Sequence, residues 1–270
     1  MPVEVAKLLD IALEVVGGAA DLALAMRTDA IHDVSTKSTR TDVVTAADRA
    51  VERYVIEGLH RRRPGDAILG EESGESSALS ASGDRVRWIL DPIDGTVNYL
   101  YGIPLYGVSL AAEVDGVVVA GVVRNAASDE LWSAVRGGGA FRAGRRLSGS
   151  PVTELSQSLI GTGFGYDARR RVHQAAVVAR LLPVVRDIRR LGAASIDLCF
   201  AAEGRLDGYF EKGLNLWDHA AGGLVAAEAG LTVSGLAGAP PGPDLVIAAP
   251  AGIFQPLHDV LVRLDAAGGP

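Results

Sequence analysis

The amino-acid sequence predicts an α/β protein in which helices and sheets form alternating layers. Three patterns carry that expectation. Apolar residues recur at helical spacing from residue 3 to about 27, two apolar runs flank an Asp115-Gly116 turn, and helix-like and strand-like segments alternate after Pro151.

Taken in order, Val5, Leu8, Leu9, Ala12, Val15, Val16, Ala19, Leu22 and Met26 mark the first helix. Gly17 and Gly18 either weaken it or mark a close helix contact. A second helix begins at Thr45, carries Val51, Val55 and Leu59 on one face, and stops at Pro64-Gly65. Ala67-Ile68-Leu69 is a short strand, and the Ser-, Gly- and Ala-rich residues 73–85 read as a loop. Val86–Leu90 is a second strand. Tyr106–Val114 and Val117–Val123 form a hairpin, because Asp-Gly between apolar runs favours the tight turn that joins antiparallel strands. Shorter strands follow through Leu147. Helices are expected near 168–182, 192–203, 217–229 and 254–265, and strands near 158–162, 206–210, 231–234 and 244–248. The result is two stacked α/β layers, 1–150 and 151–270, divided softly near residue 150 but forming one compact unit.

The 270 residues are 48% hydrophobic and 22% charged, enough apolar content for a large core. The net charge of −7 disfavours nucleic acid and anionic membranes as partners. The basic run His60–Arg63 reads as the solvated end of a helix, where cations suit the macrodipole. The single Cys199, within the apolar run Ile196–Ala202, allows no internal disulfide and reads as core filler. Glu4, Asp10 and Glu14 in the first helix argue against a signal peptide, and no uncharged apolar stretch reaches the ~18 residues of a membrane span. A cytoplasmic protein is expected.

The densest chemistry lies in Asp91-Pro92-Ile93-Asp94-Gly95-Thr96. An apolar strand delivers Asp91 at its carboxyl end, where α/β proteins commonly bind ligands. Pro92 has no N–H and is expected to end the strand. The chain then turns, and Asp91 and Asp94 converge. Two carboxylates with the Ile93 carbonyl between them make a hard-oxygen cage suited to Mg²⁺. Gly95 permits close backbone approach, so the N–H groups of Gly95 and Thr96 can face a phosphate. The same letters also fit a plain tight turn. The strand before them and Thr96 after them favour the functional reading.

Three further segments join it. In Gly70-Glu71-Glu72-Ser73, the two glutamates are either solvated or part of the same cluster, one ligating and one holding a water. Asp218, in Trp217-Asp218-His219-Ala220-Ala221, suits either a helix N-terminus or the acidic cluster. Trp217 reads as core, and His219 as a surface or cap residue rather than a ligand. Thr45-x-x-Asp48 fits a capping box, which leaves Asp48 free to accept a hydrogen bond from Thr96. Lys37 either offsets excess negative charge or is a solvated loop lysine.

Together, Lys37…Thr45-Ala46-Ala47-Asp48, Gly70-Glu71-Glu72-Ser73, Asp91-Pro92-Ile93-Asp94-Gly95-Thr96 and Glu211…Trp217-Asp218 resemble the inositol monophosphatase family. The similarity covers nearly the whole chain in order, and the two longest motifs are highly specific. It implies alternating helix and sheet layers of the sugar-phosphatase type (an αβαβα sandwich), a homodimer, and hydrolysis of small phosphorylated polyols with two or three Mg²⁺ ions. It implies Glu71, Asp91, the Ile93 carbonyl, Asp94 and Asp218 as metal ligands. Glu71, Glu72, Thr96, Asp48 and Lys37 become the catalytic group. Asp94, Gly95, Thr96, Ala194, Glu211 and Asp218 become substrate contacts, with Glu211 on the polyol hydroxyls. Inhibition by Li⁺ is expected on the same basis.

Inositol 1-phosphate is the favoured substrate, and the family also includes enzymes for fructose bisphosphate, histidinol phosphate and adenosine bisphosphate. Two residues separate Asp91 from Asp94, where the phospho-aspartate chemistry of haloacid-dehalogenase-like phosphatases wants one. A non-enzymatic alternative is a regulatory role in transcription complexes, which some bacterial relatives have. Against a purely structural role stands the cost of burying so many unpaired acids.

Overall fold

The computed structural model describes residues 4–30, 34–36, 43–76 and 86–270. Lys37, and residues 77–85 of the expected loop, lie outside the described residues.

The chain opens with α1 (Val5–Ala30), the ribbon strands β1 (Val34–Thr36) and β2 (Val43–Thr45), and α2 (Ala46–Arg62). Thr45 starts α2 by accepting the N–H groups of Ala47 and Asp48, while Asp48 accepts the Thr45 N–H, a complete capping box. The basic run His60–Arg63 closes the helix as expected. Gly18 is a close helix contact, since a Cβ there would overlap the Tyr54 side chain of α2.

An eight-stranded sheet follows. It comprises β3 (Ala67–Gly70), β4 (Gly74–Ser76), β5 (Val86–Asp94), β6 (Gly107–Val114), β7 (Val117–Asn125), β8 (Leu131–Val135), β9 (Gly139–Arg142) and β10 (Arg145–Arg146), with the short helix α3 (Thr96–Tyr101) after β5. Its order is β10-β9-β8-β7-β6-β5-β3-β4, antiparallel except where β3 runs parallel to β5. The expected hairpin is β6–β7, with Asp115 and Gly116 both at positive φ. Two expectations are corrected here. β4 begins inside the segment read as a loop, and β5 does not stop at Pro92. It continues to Asp94 through a register shift between Asp91 and Asp94, and a strand irregularity of this kind absorbs a residue that lacks an N–H.

The second half carries β11 (Leu159–Thr162), α4 (Ala168–Leu181), β12 (Asp187–Arg189), α5 (Ala194–Glu203), β13 (Gly208–Glu211), α6 (Leu216–Glu228), β14 (Thr232–Ser234), β15 (Val246–Ala249) and α7 (Ala251–Arg263). Its strands form a five-stranded sheet in the order β12-β11-β13-β15-β14.

Side-chain parity stacks these pieces. On β5, Trp88 and Leu90 pack under α1 and α2, whereas Ile89 faces α5 and α6. Both faces of the sheet are covered, hence its unbroken apolar runs. The other side of α5 and α6 meets the second sheet through Tyr209, Val246 and Ala248. Val177 and Leu181 of α4 and Ile253, Leu257 and Leu261 of α7 cover that sheet's outer face. The layers therefore read αβαβα. Cys199 is buried in the middle helix layer, as filler.

Candidate active site

Parity on β5 also places Asp91, two residues after Ile89, on the side of the central helices. Asp91 is buried, and its Oδ1 has no hydrogen-bond partner. Burial, followed by the charges of Glu71, Asp94 and Asp218, pushes its carboxyl well above the ordinary carboxylate range. Three separate stretches of chain thus converge on one carboxylate.

Asp94 lies past the irregularity. Its carboxylate accepts the N–H of Ala194 (3.2 Å), the N–H of Ser195 (2.7 Å) and the Ser195 hydroxyl (2.5 Å). Helix α5 has no cap of its own from Ala193, so Asp94 supplies it from the other sheet. Burial raises the Asp94 carboxyl, and these bonds oppose the rise. They also engage the N–H of Ala194, one of the expected substrate contacts.

Gly95 adopts φ 88°, and a Cβ there would stand 3.0 Å from the Leu105 carbonyl oxygen, so glycine is required. Thr96 Oγ1 lies 3.0 Å from the Ile93 carbonyl and 3.3 Å from Asp48 Oδ1. Asp48 is held in turn by the Thr45 N–H at 2.8 Å and hydroxyl at 2.6 Å. Glu71, just past β3, donates its N–H to the Leu90 carbonyl at 3.2 Å.

Asp218 stands in the first turn of α6, where its Oδ2 accepts the Asn215 N–H at 2.6 Å in a second capping box. Burial first, then Asp94 and Glu71, push it well above the carboxylate range. Glu211 ends β13 and accepts the Tyr209 hydroxyl. Burial lifts its carboxyl to about 7, against the Tyr209 bond and the Arg190 charge.

Glu71, Asp91, Ile93, Asp94, Gly95, Thr96, Ala194, Glu211 and Asp218 all line one cavity of about 670 Å³. Arg170, Arg190 and Lys212 line it too. Asp48 stands behind Thr96 rather than in the cavity wall, and Glu72 is not part of the lining. His219 is buried and held down to about 4 by that burial, not at the surface as expected. Trp217 packs against the core as expected and also lines the cavity, with a buried, unpaired Nε1.

Sequence reasoning missed Glu52 and Asp197. Glu52 shares the buried face of α2 with Asp48, one turn on, and that i, i+4 spacing was its only signal. Asp197 is buried in α5 with both carboxylate oxygens unpaired, and it sits in an apolar run that disguised it.

The donors fit a hard divalent cation. They are all oxygen, one is the Ile93 main-chain carbonyl with a lone pair beyond its bond from Thr96, and one is a buried carboxylate oxygen with no partner. Among the described residues, no three acidic, His or Cys side chains already stand at the spacing of a closed cage. The fit is one of donor chemistry.

A model of the inositol monophosphatase family matches residues 4–263. The chain belongs to the inositol monophosphatase family. Inositol-1-monophosphatase SuhB of Mycobacterium tuberculosis is 48% identical over 238 residues, covering 86% of this chain and 82% of the relative. The solved structure of Mycobacterium tuberculosis SuhB superposes with a TM-score of 0.83 at 40% identity, covering 98% and 99% of the two chains. Inositol monophosphatase from Anabaena (Nostoc) gives 0.83 at 34% identity, covering 95% and 96%. A protein of Escherichia coli called Nus factor SuhB is 39% identical over 198 residues, 73% of each chain. Membership in this family makes the chain a phosphoric monoester hydrolase, as the motifs led one to expect.

Proposed function

We propose that this protein hydrolyses inositol 1-phosphate, or a closely similar polyol phosphate, to the free polyol and inorganic phosphate with the help of Mg²⁺. The observation that carries the reading is Asp91: a buried carboxylate with a bare oxygen, crowded by its neighbour Asp94 and by acids from two distant stretches. Glu71, Asp91, the Ile93 carbonyl, Asp94 and Asp218 would hold two or three ions. Bound there, Mg²⁺ supplies charge neutralisation for the phosphate dianion and a lowered pKa for an attacking water.

The chain's own residues do the rest. The Thr96 hydroxyl has one proton, which it donates inward to Asp48 or the Ile93 carbonyl, so it offers a lone pair to a water in the cavity. Asp48, fixed by Thr45, keeps that hydroxyl in place. Glu211, braced by Tyr209, accepts a polyol hydroxyl from the opposite wall. Gly95 keeps the floor free of side chain where the phosphate approaches. Glu72 and Lys37 belong to the catalytic group in this reading on family resemblance alone. The two halves act as one unit, because Asp91 and Asp94 come from the first and Asp218 and Glu211 from the second. Among the described residues no helix is long and apolar enough to cross a membrane; a cytoplasmic homodimer inhibited by Li⁺ completes the proposal.

A phosphate-release panel with inositol 1-phosphate, fructose 1,6-bisphosphate, histidinol phosphate and adenosine 3′,5′-bisphosphate tests it. Release should be fastest from the inositol ester, should require Mg²⁺, and should vanish in Asp91→Asn. Metal-independent release, or a phospho-aspartate trapped at Asp91, defeats the reading. The Escherichia coli relative's name supports a second reading, a regulatory role in transcription. Binding to RNA polymerase components that survives Asp91→Asn would establish it.

A further inference from the structure

We propose that Glu52 is the positioning residue that presents Glu71 to the cation, by holding the N–H of Glu72 on one side of that ligand and packing against Gly70 on the other. The inference rests on the reading of Glu71 as a ligand.

Glu52 is 2% exposed, on the face of α2 turned toward the sheet. Its Oε2 accepts the N–H of Glu72 at 3.0 Å. On the other side of Glu71, the carboxylate lies flat against Gly70. A Cβ built there would stand 2.8 to 2.9 Å from its carbon and both oxygens. Glu71 therefore sits between a residue whose N–H is held and a residue whose lack of a side chain admits the holder. The Glu71 N–H is itself tied to the Leu90 carbonyl, so the backbone of three consecutive residues is fixed.

Burying a carboxylate is costly, and an apolar residue would fill this helix face more cheaply. What the acid contributes is direction. With the turn fixed, the Glu71 side chain enters the cavity without first losing backbone freedom, and preorganised ligands bind more tightly. Partners one step behind a metal ligand typically change metal affinity by ~10–100-fold.

The test is titration of the full-length protein with Mg²⁺ alone, followed by calorimetry and by the metal-induced rise in melting temperature. Glu52→Ala should weaken Mg²⁺ binding about tenfold or more. Gly70→Ala should do the same, because its methyl group displaces the carboxylate. Glu52→Gln keeps an acceptor oxygen and should lose less. Val55→Ala, in the core of the same helix, should lower the melting temperature and leave Mg²⁺ affinity unchanged, which separates positioning from general stability. Wild-type Mg²⁺ affinity in folded Glu52→Ala overturns the proposal. If that variant does not fold, wild-type affinity in both Glu52→Gln and Gly70→Ala overturns it. Failure of the wild-type protein to bind Mg²⁺ overturns the reading of Glu71 and this inference together, and is visible before any variant is made.

Discussion

Helices α2 and α6 begin alike and end up in opposite states. Each opens on a capping box with an aspartate in the third helical position, Asp218 in the cavity wall and Asp48 one step behind it. Asp48 is saturated: it takes the N–H and hydroxyl of Thr45 and stands within reach of Thr96. Asp218 takes one N–H, from Asn215, and otherwise faces Asp94 and Glu71. The same local motif builds a scaffold in one place and leaves a carboxylate crowded by acids in the other. What differs is the neighbours, hydroxyls around Asp48 and acids around Asp218.

The most severe way to break that contrast is Asp218→Asn. It keeps an oxygen for the Asn215 N–H and removes a buried charge. Activity should fall by roughly a hundredfold or more, beyond the usual effect of an outer partner, while the metal-free melting temperature holds or rises. A metal-free protein markedly destabilised by this change would show that Asp218 is scaffold after all.

Next in size is the metal itself. Mg²⁺ at 100 times its Kd should stabilise the wild-type protein by about 2.7 kcal/mol, read as a rise in melting temperature that Asp218→Asn abolishes. A melting curve indifferent to Mg²⁺ at tens of millimolar, roughly saturating, would refute the shared site.

Thr45→Ala probes the scaffold side. Loss of a side-chain cap costs about 0.5–2 kcal/mol, with or without Mg²⁺. Activity should fall as well, since Asp48 would lose a donor and Thr96 its fixed partner. Equal destabilisation in both metal states is the signature to seek in denaturant melts.

The smallest effect is in pH. A carboxyl whose folded pKa is raised binds its proton more tightly when folded. Its stabilising contribution is present below the unfolded value and is lost as pH rises through the folded one. For Glu211 the window runs from about 4.5 to about 7; Asp91 and Asp218 shift in the same direction. Without metal, the melting temperature should decline across that window, and Glu211→Gln should flatten the decline. A rise over the same range would contradict the burial of Glu211.

Most of the architecture was legible because periodicity reports burial. The long helices and the β6–β7 hairpin follow from apolar spacing and an Asp-Gly turn. Helix α3 is too short for any period to show, and β12 (Asp187-Ile188-Arg189) is a charged edge strand whose pairing comes from its neighbour. Asp91, Asp94, Glu71 and Asp218 stood out because acids cluster beside turn residues. Glu52 and Asp197 did not, because an acid inside a helix ordinarily marks a solvated face. Only packing shows that these helices bury theirs. The passage of β5 through Pro92 was hidden for a similar reason: composition forbids a regular strand there, and the strand is irregular.

The middle helix layer has a mechanical consequence. It separates the two sheets, and the acids that would share an ion come from the first sheet, as Asp91 and Asp94, and from the layer itself, as Asp218 in the first turn of α6. Asp94 already pins α5 to the first sheet, as a single stitch. A cation gathered by Asp91, Asp94 and Asp218 would act as a rivet through the seam, so that neither half could loosen without releasing it. Loading the metal should therefore sharpen the unfolding transition as well as raise it.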